Sequence, residues 1–231
     1  MVLEGIKVIA FDADDTLWVN EPYFRKAEAD FCTLLKDYMN EEDCNTFLFE
    51  VEMKNLGLYG YGIKPFTLSL IEAALSISDS KIPNSVISEL IEIGKEMLQK
   101  PIELLDDIEA TLKSLSKKYR LVVATKGDLL DQERKLIRSG LEGYFHHIEV
   151  MSDKTPKQYQ KLVNHLDIQP EEFLMIGNSL KSDILPVLEM GAHAFHIPFH
   201  TTWIHEHVED EIKHPNFKEL KIASEIDDFL S

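Results

Sequence analysis

The sequence predicts an α/β fold in which a parallel sheet is covered by helices on both faces. Short apolar runs alternate with helical stretches from about residue 104 onward, and a further apolar run, Val8–Phe11, stands near the start. Continuous apolar character is typical of strands buried on both faces, and strands that alternate with helices form parallel sheets. We therefore expect one sheet with a helical block inserted after its first strand.

The inserted block is predicted to contain four helices, with glycine or proline interrupting the helical spacing between them. These helices lie near residues 21–38, 42–56, 66–77 and 84–99. We place the sheet domain at 1–18 and 101–231 and the helical domain at 19–100. The segment Tyr59–Gly62 carries two tyrosines among two glycines, which fits a substrate-facing loop and a helix–helix turn equally well.

The second half of the chain is predicted to add four more strands to the sheet. These strands are predicted at 121–124, 147–150, 173–176 and 192–197, and the helices at 106–118, 129–139, 156–166 and 182–190. In open α/β folds, ligands bind where the carboxyl ends of parallel strands meet. Polar residues that directly follow the strands are therefore the candidates for a functional site.

The composition excludes several classes of function. The chain has 24 Lys and Arg against 41 Asp and Glu, a formal charge of −17, which does not suit a nucleic acid or an anionic membrane as partner. No basic region followed by a long apolar stretch opens the chain, so we expect a soluble cytoplasmic protein. Cys32 and Cys44 fall in predicted helices and are expected to be buried, reduced thiols.

The first strand ends in a cluster of three carboxylates and a hydroxyl, Asp12, Asp14, Asp15 and Thr16. Crowded carboxylates repel one another unless a cation lies among them or one holds a proton. A hard divalent cation, Mg²⁺, is the simplest explanation. Asp12 and Asp14 are spaced so that the first can bind an ion through its side chain and the second through its backbone carbonyl. Asp15 is expected to form a turn or to cap the following helix.

Polar groups also follow the other predicted strands. The candidates are Thr125, Lys126 and Gly127 after the second strand, Lys154 after the third, and Asn178 and Asp183 after the fourth. A hydroxyl and small-residue backbone can direct O–H and N–H groups at an anion, and an ammonium adds positive charge. Lys181 is expected to be a solvated surface charge, and Lys157 competes with Lys154 as the ammonium of the site.

In this order the motifs resemble those of the haloacid dehalogenase superfamily of hydrolases. The D-x-D-x-T motif corresponds to Asp12–Thr16, the hydroxyl to Thr125, the lysine to Lys154, and the acidic loop to Gly177–Asp183. Lys154 is favoured over Lys157 because Lys-Thr-Pro before a helix is similar to the family's context. The resemblance implies a Rossmann-like core with a helical cap of the C1 type. Asn178 stands where the family usually has Asp.

The resemblance also implies a Mg²⁺-dependent phosphatase of small phosphorylated metabolites. Asp12 would form an aspartyl-phosphate and Asp14 would transfer the proton, while Thr125, Lys126, Gly127 and Lys154 would hold the phosphoryl group. Metal ligands would be Asp12, Asp14, Asn178 and Asp183, although Asp183 could instead cap a helix.

Three alternatives to a phosphatase remain open at this point. A phosphomutase retains both aspartates, so only its products distinguish it. A dehalogenase needs no metal, and the second carboxylate, here Asp14, is absent from its pattern. A non-catalytic phosphometabolite-binding protein is suggested by Asn178.

The histidines of residues 193–207 suggest a transition-metal site at first sight. They are His193, His196, His200, His205 and His207. Their spacing is not a compact zinc pattern, so we expect solvent-facing or hydrogen-bonded rings instead. His200 is the candidate for a hydrogen bond near the functional site.

Overall fold

The structure is a computed structural model that describes residues 2–208 and 211–231, and these residues form a six-stranded parallel sheet. The strands are β1 (Val8–Phe11), β2 (Arg120–Lys126), β3 (His147–Met151), β4 (Phe173–Gly177), β5 (His193–His196) and β6 (Phe217–Glu219). Their order across the sheet is β3-β2-β1-β4-β5-β6, and every neighbouring pair is parallel. The predicted α/β fold is confirmed.

Helices separate most of the strands along the chain. They are α1 (Glu21–Leu34), α2 (Glu41–Tyr59), α3 (Ile63–Ile77), α4 (Asn84–Gln99), α5 (Ile108–Leu115), α6 (Leu129–Ser139), α7 (Pro156–His165) and α8 (Leu185–Glu189). A π-helical turn, Leu180–Ile184, directly precedes α8. Short 3₁₀ segments occur at Glu142–Tyr144, Pro170–Glu172, Ile204–Glu206 and Ala223–Phe229.

Two elements differ from the sequence prediction. The helix predicted at 182–190 begins instead as the π-helical turn at Leu180, where the Ser179 hydroxyl accepts from Ser182 N. Strand β6 was not predicted, because its three residues are partly or fully exposed and include two charged side chains rather than an apolar run.

Both faces of the central strand β1 are buried. Ile9 and Phe11 pack into one hydrophobic core, whereas Val8 and Ala10 pack into a second core on the opposite face. Side chains alternate between the faces of a strand, so a strand covered on both sides must be apolar at every position. This is why the run before Asp12 is continuous, and why the polar chain begins abruptly where the strand ends.

The chain divides into two compact units. The first comprises Met1–Glu21, Ile102–Lys126 and Gln132–Ser231 and contains the sheet, and the second comprises Pro22–Pro101 and Gly127–Asp131. The second unit has its own apolar core, which includes Phe31, Leu35, Leu48, Leu70 and Leu90. It therefore contains five residues, Gly127–Asp131, that the sequence prediction assigned to the sheet domain.

Within the second unit, the segment Tyr59–Gly62 is a helix–helix turn. Helix α2 ends at Tyr59, whose hydroxyl donates to Glu72 Oε1 at 2.7 Å. Gly60 and Gly62 have φ angles of 77° and 113°, a region that favours glycine. Cys32 and Cys44 of this unit are buried free thiols, as expected. None of the helices in the described ranges is long and apolar enough to cross a membrane.

Candidate active site

Asp12 lies at the carboxyl end of β1, where the sheet hydrogen bonding continues for one more residue. Its backbone N–H donates to the carbonyl oxygen of Ile176 in β4 at 2.8 Å, which fixes the start of the side chain against the sheet edge. The residue is only 7% exposed. A carboxylate this buried requires a charged or hydrogen-bonding partner.

Lys154 supplies that partner. Its Nζ lies 2.5 Å from Asp12 Oδ1 and 2.5 Å from Asp183 Oδ1, so one buried ammonium bridges two carboxylates. The lysine lies two residues before α7, whose N-terminus is capped by the Thr155 hydroxyl accepting from Gln158 N. Lys157, the alternative considered above, lies on that helix and is exposed. The geometry therefore favours Lys154 as the ammonium of the site.

Asp183 lies deeper than the other carboxylates and is fully buried. Its Oδ2 accepts from the backbone N–H of Ser179 at 3.0 Å, and Tyr159 donates to the carbonyl oxygen of the neighbouring Ser182. Gly177 makes this packing possible, because a Cβ at that position would lie 2.2 Å from Asp183 Oδ2. Asp183 thus anchors both Lys154 and the turn that follows β4.

Asn178 faces the oxygen atoms of the first loop. In the orientation that satisfies both amide atoms, its side-chain nitrogen donates to Thr16 Oγ1 at 3.1 Å, and to Asp14 O and Asp12 Oδ2 at 3.3 Å each. Rotating the amide would turn its oxygen towards the same groups. Asp12, the Asp14 carbonyl and Asn178 then form a set of oxygen donors that suits a hard cation such as Mg²⁺.

Asp14 is held by three residues that the sequence prediction did not include. Its Oδ1 accepts from Trp18 Nε1 at 2.7 Å and from Lys135 Nζ at 2.9 Å, and its Oδ2 accepts from Gln132 Nε2 at 2.9 Å. Gln132 and Lys135 are three residues apart on α6 and so lie on one face of that helix. Lys135 also donates to Asn20 Oδ1 at 2.9 Å.

Asp15 caps the start of α1, as the sequence predicted. Its carboxylate accepts from the backbone N–H groups of Asn20 at 2.8 Å and Glu21 at 3.0 Å. The residue adopts a φ of 59°, which turns the chain away from the sheet edge. It therefore serves the local fold of the loop.

The three neighbouring aspartates differ in their ionisation. Burial raises the pKa of Asp12 to about 7, with Lys154 opposing the shift and Asp183 and Asp14 adding to it. Burial also raises the pKa of Asp15, to about 8. Burial alone would raise the pKa of Asp14 too, but the charge and hydrogen bond of Lys135 outweigh it and hold the pKa below its ordinary value. Asp14 is thus the readily ionised member of the cluster.

The residues at the carboxyl end of β2, which extends two residues beyond the predicted strand, are fixed within the site region. The buried Thr125 hydroxyl donates to the carbonyl oxygen of Lys126 at 3.2 Å and accepts from Gln132 at 3.3 Å. Gly127 has a φ of 124°, a region open to glycine, and begins the segment that groups with the second unit.

Lys126 takes part in a second buried network, which sequence reasoning missed. Its Nζ donates to Glu206 and to Ser182 Oγ, the latter at 2.9 Å. Glu206 also accepts from Ser179 and Ser182. Burial would raise the pKa of Glu206, but the Lys126 ammonium and these hydrogen bonds lower it to about 2. Glu206 therefore fixes the segment after β5 against the turn after β4.

The histidines of residues 193–207 lie in different surroundings. In the part of the chain that the structure describes, no group of three His, Cys, Asp or Glu side chains is placed to hold a metal ion. His196 lies between two oxygen atoms, with Nε2 3.0 Å from Asn178 O and Nδ1 3.1 Å from Glu219 Oε2. His200 is exposed and its ring lies against Phe199. The loop Gly177–Asp183 is thus contacted by His196, and also by His205, whose carbonyl oxygen accepts from Lys181 Nζ at 2.8 Å, rather than by the predicted His200.

Comparison with known proteins gives consistent matches over most of the chain. Residues 6–191, which include all the predicted catalytic, phosphate-binding and metal-binding residues, match the haloacid dehalogenase-like hydrolases. The N-acylneuraminate-9-phosphatase of Homo sapiens is 25% identical over 217 residues, covering 89% of this chain and 85% of that protein. The glyceraldehyde 3-phosphate phosphatase of Pyrococcus furiosus is 24% identical over 194 residues, covering 82% and 79%. The crystal structure of a haloacid dehalogenase-like family hydrolase from Xanthomonas campestris has a TM-score of 0.86 at 38% identity, covering 96% and 88%.

Proposed function

We propose that this chain, which belongs to the haloacid dehalogenase-like hydrolase family of enzymes, is a Mg²⁺-dependent phosphatase of small phosphorylated metabolites. The observation that carries the proposal is the separate anchoring of two carboxylates at one sheet edge. Asp12 is bound by Lys154, whereas Asp14 is bound by Lys135, Gln132 and Trp18. Two carboxylates in different surroundings can take different chemical roles, one as nucleophile and the other in proton transfer.

In the first step, an Asp12 oxygen attacks the phosphorus atom of the ester. The bond between phosphorus and the ester oxygen breaks, and that oxygen takes a proton from Asp14 and leaves as an alcohol. Asp14 must hold this proton when the ester is bound. Lys135 lowers its pKa in the chain alone, and the negative charge of the bound ester opposes that shift. In the second step, Asp14 removes a proton from water, whose oxygen attacks the aspartyl-phosphate. Inorganic phosphate leaves and the Asp12 carboxylate is restored. Such proton transfer contributes about 10²–10⁴-fold to rate.

Lys154 is suited to hold the phosphoryl group during both steps. An ammonium has three N–H donors, and the two bonds to Asp12 and Asp183 leave a third to direct at a phosphate oxygen. Thr125, Lys126 and Gly127 complete the phosphate-binding group in this proposal. Because the formal charge is −17, these local donors must attract the anion against the field of the whole chain.

We propose that Mg²⁺ is held by Asp12, the Asp14 carbonyl oxygen and Asn178. Asp183 adds negative charge beside this set and binds Lys154. The bound ion would offset the repulsion between the Asp12 carboxylate and the phosphate. Asn178 places an amide where a second carboxylate would add charge, and an amide oxygen remains a suitable ligand.

The proposed substrates are small phosphoesters. Two relatives are named N-acylneuraminate-9-phosphatase and glyceraldehyde 3-phosphate phosphatase, which supports a phosphorylated metabolite rather than a macromolecule. The groups described above act only on the phosphoryl group. We therefore assign the choice of metabolite to the helical unit, Pro22–Pro101.

A panel of phosphoesters, assayed for released phosphate with and without Mg²⁺, tests the proposal. The wild-type chain is expected to hydrolyse p-nitrophenyl phosphate in the presence of Mg²⁺, and Asp12→Asn is expected to abolish this activity. Asp15→Asn is the matched control, because an amide oxygen can still accept from the N-terminus of α1, and it should retain activity within a few-fold. Activity insensitive to Asp12→Asn would exclude Asp12 as the nucleophile. A product with the phosphoryl group moved to another position would indicate a mutase instead.

A further inference from the structure

We propose that Lys135 is a positioning residue that, together with Gln132 and Trp18, fixes the orientation of the Asp14 carboxylate. The inference rests on the proposed phosphatase function and adds residues that none of the sequence motifs includes. All three donors come from outside the Asp12–Thr16 motif, and Lys135 lies 121 residues from Asp14 along the chain.

The surroundings of Lys135 indicate a dedicated role. The residue is only 9% exposed, and a lysine this buried normally has a charged or hydrogen-bonding partner. Its ammonium donates to both Asp14 Oδ1 and Asn20 Oδ1 at 2.9 Å. Lys135 therefore links Asp14 to Asn20 at the other end of the loop between β1 and α1. The Asp15 carboxylate also joins the two ends of this loop, because it accepts from the backbone N–H groups of Asn20 and Glu21.

The contacts define the orientation of the Asp14 carboxylate. Trp18 and Lys135 bind Oδ1, and Gln132 binds Oδ2, so donors on both oxygens restrict rotation of the group. Trp18 is fully buried and cannot move aside easily. A misplacement of about 1 Å in a reacting group can cost on the order of 10²-fold in rate, so this restriction matters for proton transfer.

Lys135 also keeps Asp14 away from the other buried lysine. Lys154 already bridges Asp12 and Asp183, and a third carboxylate without its own cation would compete for the same ammonium. With Lys135 beside it, Asp14 stays with its own cation. The nucleophile and the proton-transfer residue are therefore held by different lysines, which keeps their positions independent.

A comparison of two aryl phosphates that differ in leaving group tests this role. p-Nitrophenolate leaves without protonation, whereas phenolate is a poorer leaving group and gains more from the Asp14 proton. We expect Lys135→Met to lower kcat/KM for phenyl phosphate by at least about tenfold, but for p-nitrophenyl phosphate by less than about threefold. Arg134→Met removes a charge from an exposed position of the same helix and is expected to change neither value.

Gln132→Met is the second variant, because it removes an uncharged donor to Asp14 and remains informative where Lys135→Met fails to fold. It is expected to show the same selectivity with a smaller loss. An equal loss on both substrates in the soluble, folded variants would mean a structural role and would overturn the proposal, as would no loss on phenyl phosphate. A wild-type chain that hydrolyses neither substrate would instead overturn the proposed phosphatase function, and this result is recognised before any variant is made.

Discussion

The ion pair between Lys126 and Glu206 gives a prediction whose size follows from the structure. Both side chains are largely buried, with 14% and 11% exposed, and Glu206 also accepts from two serines. These contacts lower the pKa of Glu206 from 4.5 to about 2 despite its burial. A difference of about 2.5 units corresponds to about 3 kcal/mol of free energy of unfolding at pH 7.

The sign of the pH dependence follows from the lowered pKa. Because the folded protein holds Glu206 ionised more strongly than the unfolded chain does, its contribution is fully present above pH 4.5. It is lost as the pH falls towards 2, and about half of it remains at pH 3. Glu206→Gln is therefore expected to be less stable than the wild type by about 3 kcal/mol at pH 7, and by about half of that at pH 3.

Urea unfolding of Lys126→Met, Glu206→Gln and the double variant measures the interaction, with tryptophan fluorescence as the signal. Each single variant removes one charge of the buried ion pair, so we expect the double variant to be more stable than the sum of the two changes predicts, by about 2 kcal/mol. The exposed pair Lys7–Glu172 serves as a control and should show little coupling. Additive effects within about 0.5 kcal/mol would refute the assignment of Glu206 as the partner of Lys126.

Two further substitutions test the loop after β4. Gly177→Ala should lower the free energy of unfolding by about 1–3 kcal/mol, because its Cβ would meet Asp183. Gly57→Ala in α2 is the control, because the position has open space around it and the change should not destabilise the protein. Equal stability of the two variants would contradict the close packing at Gly177. Asn178→Asp should lower the dissociation constant for Mg²⁺ about tenfold, because it adds a carboxylate beside Asp12. Calorimetry without substrate measures this constant, and an unchanged affinity would exclude Asn178 from the ion site.

The parts of the site that lie next to strand ends could be predicted from the sequence. Asp12, Thr125 and Asn178 each follow an apolar run closely, so the periodicity that locates the strands also locates these residues. Asp15 could be assigned to a cap, because an acidic residue before a helical pattern commonly accepts from its first N–H groups.

Other parts of the site and the fold cannot be predicted from the residues next to them in the sequence. Lys135 lies in an amphipathic helix where a lysine is ordinarily assigned to solvent, and only the tertiary contact with Asp14 reveals its burial. Glu206 lies 80 residues from Lys126, in a segment where the histidines, not this glutamate, were the residues considered from the sequence. Strand β6 is formed by three residues that pair with β5, so its structure depends on the sheet rather than on its own composition.

The charges of the first unit support a divalent cation at the site independently of any family resemblance. Three carboxylates, Asp12, Asp14 and Asp183, are paired with two buried lysines, Lys154 and Lys135, which leaves an excess of one negative charge when all are ionised. In the chain alone, burial and the neighbouring carboxylates Asp183 and Asp14 raise the pKa of Asp12 to about 7. A divalent ion would supply the charge that the lysines leave uncompensated. Asp12 Oδ2 and the Asp14 carbonyl oxygen both lie 3.3 Å from the same atom of the Asn178 amide, which would have to rotate to turn its oxygen towards the ion. Because a proton on Asp12 would block its attack on phosphorus, a bound cation that lowers the pKa of Asp12 would favour the proposed nucleophile near neutral pH.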